Sequence, residues 1–173
     1  MKKIFGYILA MVIFTGCSTL KVSVDYDETY DFSKVETFAV DGNYEQAKNT
    51  LFNDRVVAAL ENELQLKSYK KVTPNSADLI FVFHSNVREK SDIQTSYGLS
   101  GYRGYRYGGM MMSTTNTYNY NEGTLIIDAL NPKTKKIVWR GTGVKELREN
   151  KTPQERTQAV NEAIKKIMTK FPK

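Results

Sequence analysis

EGTLIIDALNPKTKKIVWRGTGVK, residues 122–145, decides the architecture. Thr124 to Leu130 is rich in β-branched and apolar residues, and Lys136 to Lys145 (KIVWRGTGVK) has the same character. Between them, Asn131-Pro132-Lys133-Thr134 carries turn chemistry. So short a link predicts an antiparallel hairpin. Asp128 interrupts a run of Leu and Ile, and its expected partner is Arg140 across the hairpin, a structural pair rather than a catalytic acid. Trp139 is expected in the core or on a helix-packing surface. Gly141-Thr142-Gly143 lacks the continuation of a phosphate-binding loop, so it marks a bulge or a close helix approach.

Upstream, Lys21 to Asp27 alternates, with Val22, Val24 and Tyr26 opposed to Ser23, Asp25 and Asp27, the pattern of a half-buried strand. Val35 to Val40 predicts a second short strand and Tyr69 to Val72 a brief one. From about Tyr44 to Lys67 the period becomes helical. Phe52, Val56, Ala59, Leu60 and Leu64 recur at three- and four-residue steps, without proline. Leu79 to Phe83 (LIFVF) is apolar on both faces and predicts a central strand covered on both sides or lying deep under helices. Downstream, Pro153 suits the first turn of a helix reaching about Lys170. Thr152 and Glu155 have the spacing of a capping box. Val160, Ala163, Ile164, Ile167, Met168 and Phe171 form its apolar stripe.

Two amphipathic helices each need an apolar surface to cover. The expected fold is therefore α+β: a mostly antiparallel sheet with both helices packed on one face. A long protruding ribbon is expected to extend from it. Residues 91–121 form a Tyr/Gly-rich insertion. Its flanks, Ser91 to Tyr97 and Ser113 to Asn121, are rich in Thr, Tyr and Ser and read as polar continuations of two strands. The tip, about Gly98 to Met112, contains Gly-Tyr-Arg twice in succession, at 101–103 and 104–106. Glycine denies it a stable helix. One reading is a solvated low-complexity loop. Another is a contact surface built from Tyr97, Tyr102, Arg103, Tyr105, Arg106 and Tyr107. There tyrosines supply amphipathic faces and arginines supply planar donors, suited to an envelope protein, a glycan or membrane headgroups. A soft-metal site at Met110 to Met112 is disfavoured, because three consecutive thioethers do not converge on one ion.

At the N-terminus, Lys2 and Lys3 precede an apolar run of 11 residues, Ile4 to Phe14. As a helix it reaches only about 16 Å against roughly 30 Å of hydrocarbon core, which suits a cleaved signal peptide rather than a spanning helix. The chain's one cysteine, Cys17, follows directly after Thr15-Gly16. Residues 1–16 are therefore expected to be a signal peptide and residues 17–173 one domain. A single cysteine leaves no intrachain disulfide available.

The formal charge of +6 is a modest excess, part of it in Lys2 and Lys3. It suits anionic surfaces without indicating nucleic acid, and export argues against that partner. One histidine, His84, and one cysteine exclude the common zinc and Cys/His patterns, and no G-x-S-x-G elbow is present. His84 ends the LIFVF run, where a strand residue at a sheet edge or polar rim is the expected role. No catalytic residue, cofactor or metal is expected.

Thr15-Gly16-Cys17 resembles the lipobox of bacterial lipoproteins, with Phe14 where Leu is usual. That resemblance implies diacylglycerol on the Cys17 sulfur, cleavage before it and acylation of the new N-terminus. Ser18, rather than Asp, implies the periplasmic leaflet of the outer membrane. Further motifs extend the likeness. Val24-Asp25-Tyr26-Asp27, Asp31-Phe32-Ser33-Lys34-Val35-Glu36-Thr37-Phe38 and Ala77-Asp78-Leu79-Ile80 come first. Glu122-Gly123-Thr124-Leu125-Ile126-Ile127-Asp128, Val138-Trp139-Arg140-Gly141 and the closing Phe171-Pro172 follow. Together they resemble the DUF4136 lipoproteins. The resemblance implies a Gram-negative envelope lipoprotein with an α+β fold, and brings no reaction, cofactor or substrate. Three functional readings follow. The first is a non-enzymatic, lipid-anchored interaction or structural module acting through the ribbon. The second is a binding module for a glycan or small amphiphile, and the third, least favoured, a hydrolase.

Overall fold

The computed structural model describes residues 20–42, 49–99, 111–147 and 151–172. In chain order the elements are β1 (Lys21–Tyr26), β2 (Thr37–Asp41), α1 (Thr50–Leu66), β3 (Lys70–Lys71), β4 (Leu79–Leu99), β5 (Met111–Leu130), β6 (Ile137–Leu147) and α2 (Pro153–Met168). Six strands form one sheet in the order β1-β6-β5-β4-β2-β3. The hairpin read from residues 122–145 is its centre. β5 and β6 pair antiparallel with Asp128 opposite Arg140, and one register shift falls at Ala129/Leu130 beside the turn. β1 and β4 flank this hairpin, both antiparallel to their neighbours. β2 runs parallel to both β3 and β4.

Both helices lie on one face, as their stripes require. α1 buries Val56, Ala59, Leu60 and Leu64, while α2 buries Val160, Ile164, Ile167 and Met168. They meet alternate strand residues: Phe38, Leu79, Phe81, Phe83, Leu125, Ile127, Ala129 and Trp139. α2 starts as its residue types dictate. The Thr152 hydroxyl accepts from the Glu155 N–H at 3.2 Å, and the Glu155 carboxylate accepts from the Thr152 N–H at 2.7 Å. The Thr152 N–H, first, and the Thr152 side chain hold the Glu155 carboxyl below its ordinary value. α1 is capped by Asn49, whose side chain accepts from the Phe52 N–H at 3.1 Å. The earlier start near Tyr44 falls at residues 43–48, outside the described residues.

Among the described residues, helices cover LIFVF on one face only. Leu79, Phe81 and Phe83 are buried under the helices, whereas Ile80 and Val82 are half-buried on the opposite face. No helix among the described residues lies on that side, so screening there comes from neighbouring strand side chains. Trp139 is fully buried, and its indole N–H has no partner among the described residues. Gly141 and Gly143 mark a close helix approach rather than a bulge, for a Cβ on Gly141 would fall 2.5 Å from Ile167 Cγ2 of α2.

The parallel β2–β4 register is fixed by a clip. The Asp78 carboxylate accepts from the Glu36 N–H (3.1 Å), the Thr37 N–H (2.9 Å) and the Thr37 hydroxyl (2.7 Å). In return, the Thr37 hydroxyl accepts from the Asp78 N–H at 3.0 Å. Phe38 is thereby set beside Leu79. The Thr37 hydroxyl, first, and the two backbone donors hold the Asp78 carboxyl below its ordinary value. A carboxyl lowered on folding contributes stability above its unfolded value, near pH 4, and loses it as pH falls through the folded value. Asp78→Ala is therefore expected to cost about 1–2 kcal/mol at pH 7. In urea unfolding the gap from the parent should narrow at pH 3. A gap of equal size at both pH values would contradict the clip.

Candidate functional site

β4 and β5 are far longer than the strands around them, with 21 and 20 residues. They pair without interruption from Ile80 opposite Leu130 to Leu99 opposite Met111. β2 accompanies β4 only through Val82, and β6 accompanies β5 only from Asn121 onward. From Lys90 and Tyr120 outward the pair is a two-stranded ribbon, about 30 Å long at the usual strand rise. The polar alternation of its sequence explains its exposure. Residues 91–96 and 113–119 are all exposed.

The two faces of the ribbon differ. One continues the open face of the sheet and carries Arg88, Lys90 and Asp92 opposite Glu122, Tyr120 and Tyr118. Lys90 Nζ lies 2.7 Å from Glu122 Oε1, and that hydrogen bond holds the Lys90 ammonium above its ordinary value. The Tyr118 and Tyr120 rings stack at 6.0 Å between centroids and 23° between planes. The Tyr118 hydroxyl donates to Glu146 at 3.2 Å. The other face continues the helix-covered side, with Val87 and Ile93 59% and 66% exposed. There the Ser91 hydroxyl donates to the Asn119 carbonyl at 2.7 Å.

Of the sequence-derived contact residues, Tyr97 lies on β4 opposite Ser113. Tyr102, Arg103, Tyr105, Arg106 and Tyr107 lie outside the described residues, as does Cys17. The contact reading passed over Tyr118 and Tyr120. Their signal was the Tyr-Asn-Tyr-Asn alternation at 118–121, which places both rings on one face.

The open sheet face holds the pair expected across the hairpin. Arg140 Nε donates to Asp128 Oδ1 at 2.6 Å and Nη2 to Oδ2 at 2.7 Å, a bidentate bond that raises the guanidinium above its ordinary value. The two partners are unequal, since the Asp128 side chain is 3% exposed and that of Arg140 46%. Removing the arginine leaves a carboxylate buried, whereas removing the acid leaves a guanidinium in water. Arg140→Ala is therefore expected to cost about 2–3 kcal/mol, discounted from a fully buried pair, and Asp128→Ala only about 1 kcal/mol. Urea midpoints of the two variants check this order, and equal midpoints would contradict it.

His84 stands on the same face opposite Ile126, exposed, two residues past the end of the β2–β4 pairing. This is the polar rim expected of it. Among the described residues no three His, Cys, Asp or Glu side chains are grouped as metal ligands. A shallow groove of about 400 Å³ follows the α1–α2 seam, lined by Asp54, Arg55, Asn62, Glu63, Thr157 and Asn161 among others. In it Arg55 Nε donates to the Thr157 hydroxyl at 3.1 Å, a bond between the helices. Among the described residues no helix is long and apolar enough to cross a membrane.

The model of the family described as "Domain of unknown function (DUF4136)" matches residues 22–173. No curated protein matches the chain. Among solved structures, a PDZ domain protein from Parabacteroides distasonis is similar at a TM-score of 0.51 and 16% identity. The match covers 90% of this chain and 36% of that one. A PelC dodecamer from Paraburkholderia phytofirmans is similar at a TM-score of 0.47 and 10% identity, covering 87% and 96% of the two chains. The chain spans about a third of the first of these structures, and at such identity the likeness is one of fold.

Proposed function

We propose that this chain, which belongs to the DUF4136 family, is a lipid-anchored envelope protein that works by contact rather than catalysis, with the β4–β5 ribbon as its contact element. The observation that carries this reading is the ribbon. About 30 Å of paired backbone leaves the sheet with exposed side chains throughout 91–96 and 113–119. Unsupported strand of that length contributes nothing to the core. An outer-membrane lipoprotein facing the periplasm is the setting that Lys2, Lys3, the run from Ile4 to Phe14, Cys17 and Ser18 favour. Each buried methylene contributes about 0.8 kcal/mol, so two or three acyl chains on Cys17 and its amine hold the chain on the bilayer permanently. The partner is another envelope molecule, and nucleic acid is not among the candidates.

Two variants test the halves of the proposal separately. Cys17→Ser is expected to move the chain out of the outer-membrane fraction, as released domain or as uncut precursor in the inner membrane. Unchanged fractionation would remove the anchor. Replacing residues 91–119 by Asn-Gly closes Lys90 and Tyr120 with a two-residue hairpin turn. That variant should keep the parent's melting temperature within a few degrees and lose the partner captured by in-cell crosslinking. Retained capture would remove the ribbon from the proposal.

A second reading, a glycan-binding module, is favoured by one arrangement. The stacked Tyr118 and Tyr120 rings lie beside the Lys90–Glu122 pair, giving an aromatic platform with a polar rim. Replacing both tyrosines by Ala should abolish retention on immobilised envelope glycans if that reading holds, and retention unchanged by the double substitution would eliminate it.

A further inference from the structure

We infer that the ribbon pairs edge to edge with a second copy of this chain, antiparallel, through β5 residues 111–117. The inference rests on the ribbon being the contact element and names its partner. Its ground is a difference among the edges of the sheet. An exposed edge strand is a template for further pairing, and proteins blunt such edges by shortness, charge, proline or bulges. β3, at one margin, has two residues and both are lysine. β1, at the other, has six residues and carries Lys21 and Asp25. Beyond Val82 the outer edge of β4 carries Arg88, Glu89, Lys90 and Asp92, and its uncharged stretch past them, Ile93 to Tyr97, is cut short by Gly98.

The remaining edge has none of these devices. Met111 to Thr117 reads MMSTTNT, with no charge, no proline and no glycine. Its pairing with β4 runs without a register shift, and among the described residues no strand covers its far side. From Ser113 to Thr117 the side chains are polar and exposed, and β-branched threonines suit the stretch to a strand.

Self-pairing fits this edge better than a foreign strand. A two-fold antiparallel arrangement places the edge against itself. A charged edge would then meet its own charges, and this one has none. With the axis at Thr115, residues 113–117 face one another, Ser, Thr and Asn against Thr, pairings that support a sheet. The benefit is local. An isolated two-stranded ribbon is marginal in water, and joining two copies makes it four-stranded.

A cysteine scan tests the inference. Ser113→Cys, Thr114→Cys, Thr115→Cys, Asn116→Cys and Thr117→Cys are made singly in the full chain, expressed in cells and oxidised mildly. The unsubstituted chain supplies the Cys17 baseline. About a two-fold axis, moving the cysteine two residues from the axis separates the two sulfurs by roughly a further 13 Å. A disulfide-linked dimer should therefore peak at one position and fall at least about fivefold two residues away. Thr114→Lys with Asn116→Lys, added to the peak variant, should suppress that band. A flat profile, no dimer at any position, or a band indifferent to the lysines would overturn self-pairing. A photo-crosslinker at the same positions separates the two ideas. Capture of a different protein with no self-adduct overturns the second copy as partner and leaves the ribbon as contact element. No capture of any kind overturns both.

Discussion

Phe171→Ala is expected to lower stability by about 3–5 kcal/mol, a loss of roughly 10 °C or more in melting temperature for a chain of this size. Phe171 follows α2 by three residues, yet it is the hub of the core. Its ring meets Phe32 at 5.7 Å, Tyr69 at 6.0 Å, Phe81 at 5.4 Å and Trp139 at 5.1 Å, all edge-on. Those four residues come from the turn before β2, the link between α1 and β3, β4 and β6. Truncation opens a cavity that rigid rings from four places cannot collapse to fill. Phe171→Leu keeps most of the volume and should recover more than half of the loss. Thermal melts of the two variants check the order, and an alanine variant melting within two or three degrees of the parent would contradict it.

Gly141→Val is expected to be at least as damaging. A Cβ at Gly141 would lie 2.4 Å from Trp139 Cη2 and 2.5 Å from Ile167 Cγ2. Trp139 is rigid and fully buried, and Ile167 Cγ2 is attached directly to the Cβ of a buried helix residue, so neither atom can retreat. Either the helix lifts from β6 or the indole leaves its rotamer. Overpacking of this kind costs about 1–3 kcal/mol for one methyl, as in Gly141→Ala, and more for a branched side chain. Gly143 is a built-in control. A Cβ there would meet Ile167 Cδ1 at 2.8 Å, the far end of a side chain that can swing. Gly143→Ala should therefore cost less than Gly141→Ala. Urea midpoints in the reverse order would show that α2 does not seat on β6 through Gly141.

The parts of the fold that were legible in the sequence are those ruled by local periodicity. Alternation gave away β1 and the ribbon flanks, three- and four-residue spacing gave both helix stripes, and Thr152 with Glu155 announced the start of α2. The Asp128–Arg140 pair was legible too, because a short turn between two strands fixes which residues face each other. Long-range pairing was not. Nothing in Val35 to Val40 says that it runs parallel to β4, since that register depends on Asp78 meeting Glu36 and Thr37 some forty positions away. LIFVF alone leaves open whether the strand is covered on both sides or lies deep under helices, because an apolar run does not say how many helices lie on each face. The stacking of Tyr118 on Tyr120 needed the paired backbone, although the alternation at 118–121 already placed them together.

Under the proposed function, the ribbon touches a partner in the envelope and the helix-covered body does not. The deciding measurement places a photo-crosslinking residue at Tyr118 on the ribbon, and at Lys133 in the β5–β6 turn as the comparison, in the full chain in living cells. Covalent adducts from position 118, with none above background from position 133, are the predicted result. Adducts of equal yield from both positions, or none from the ribbon, would contradict it.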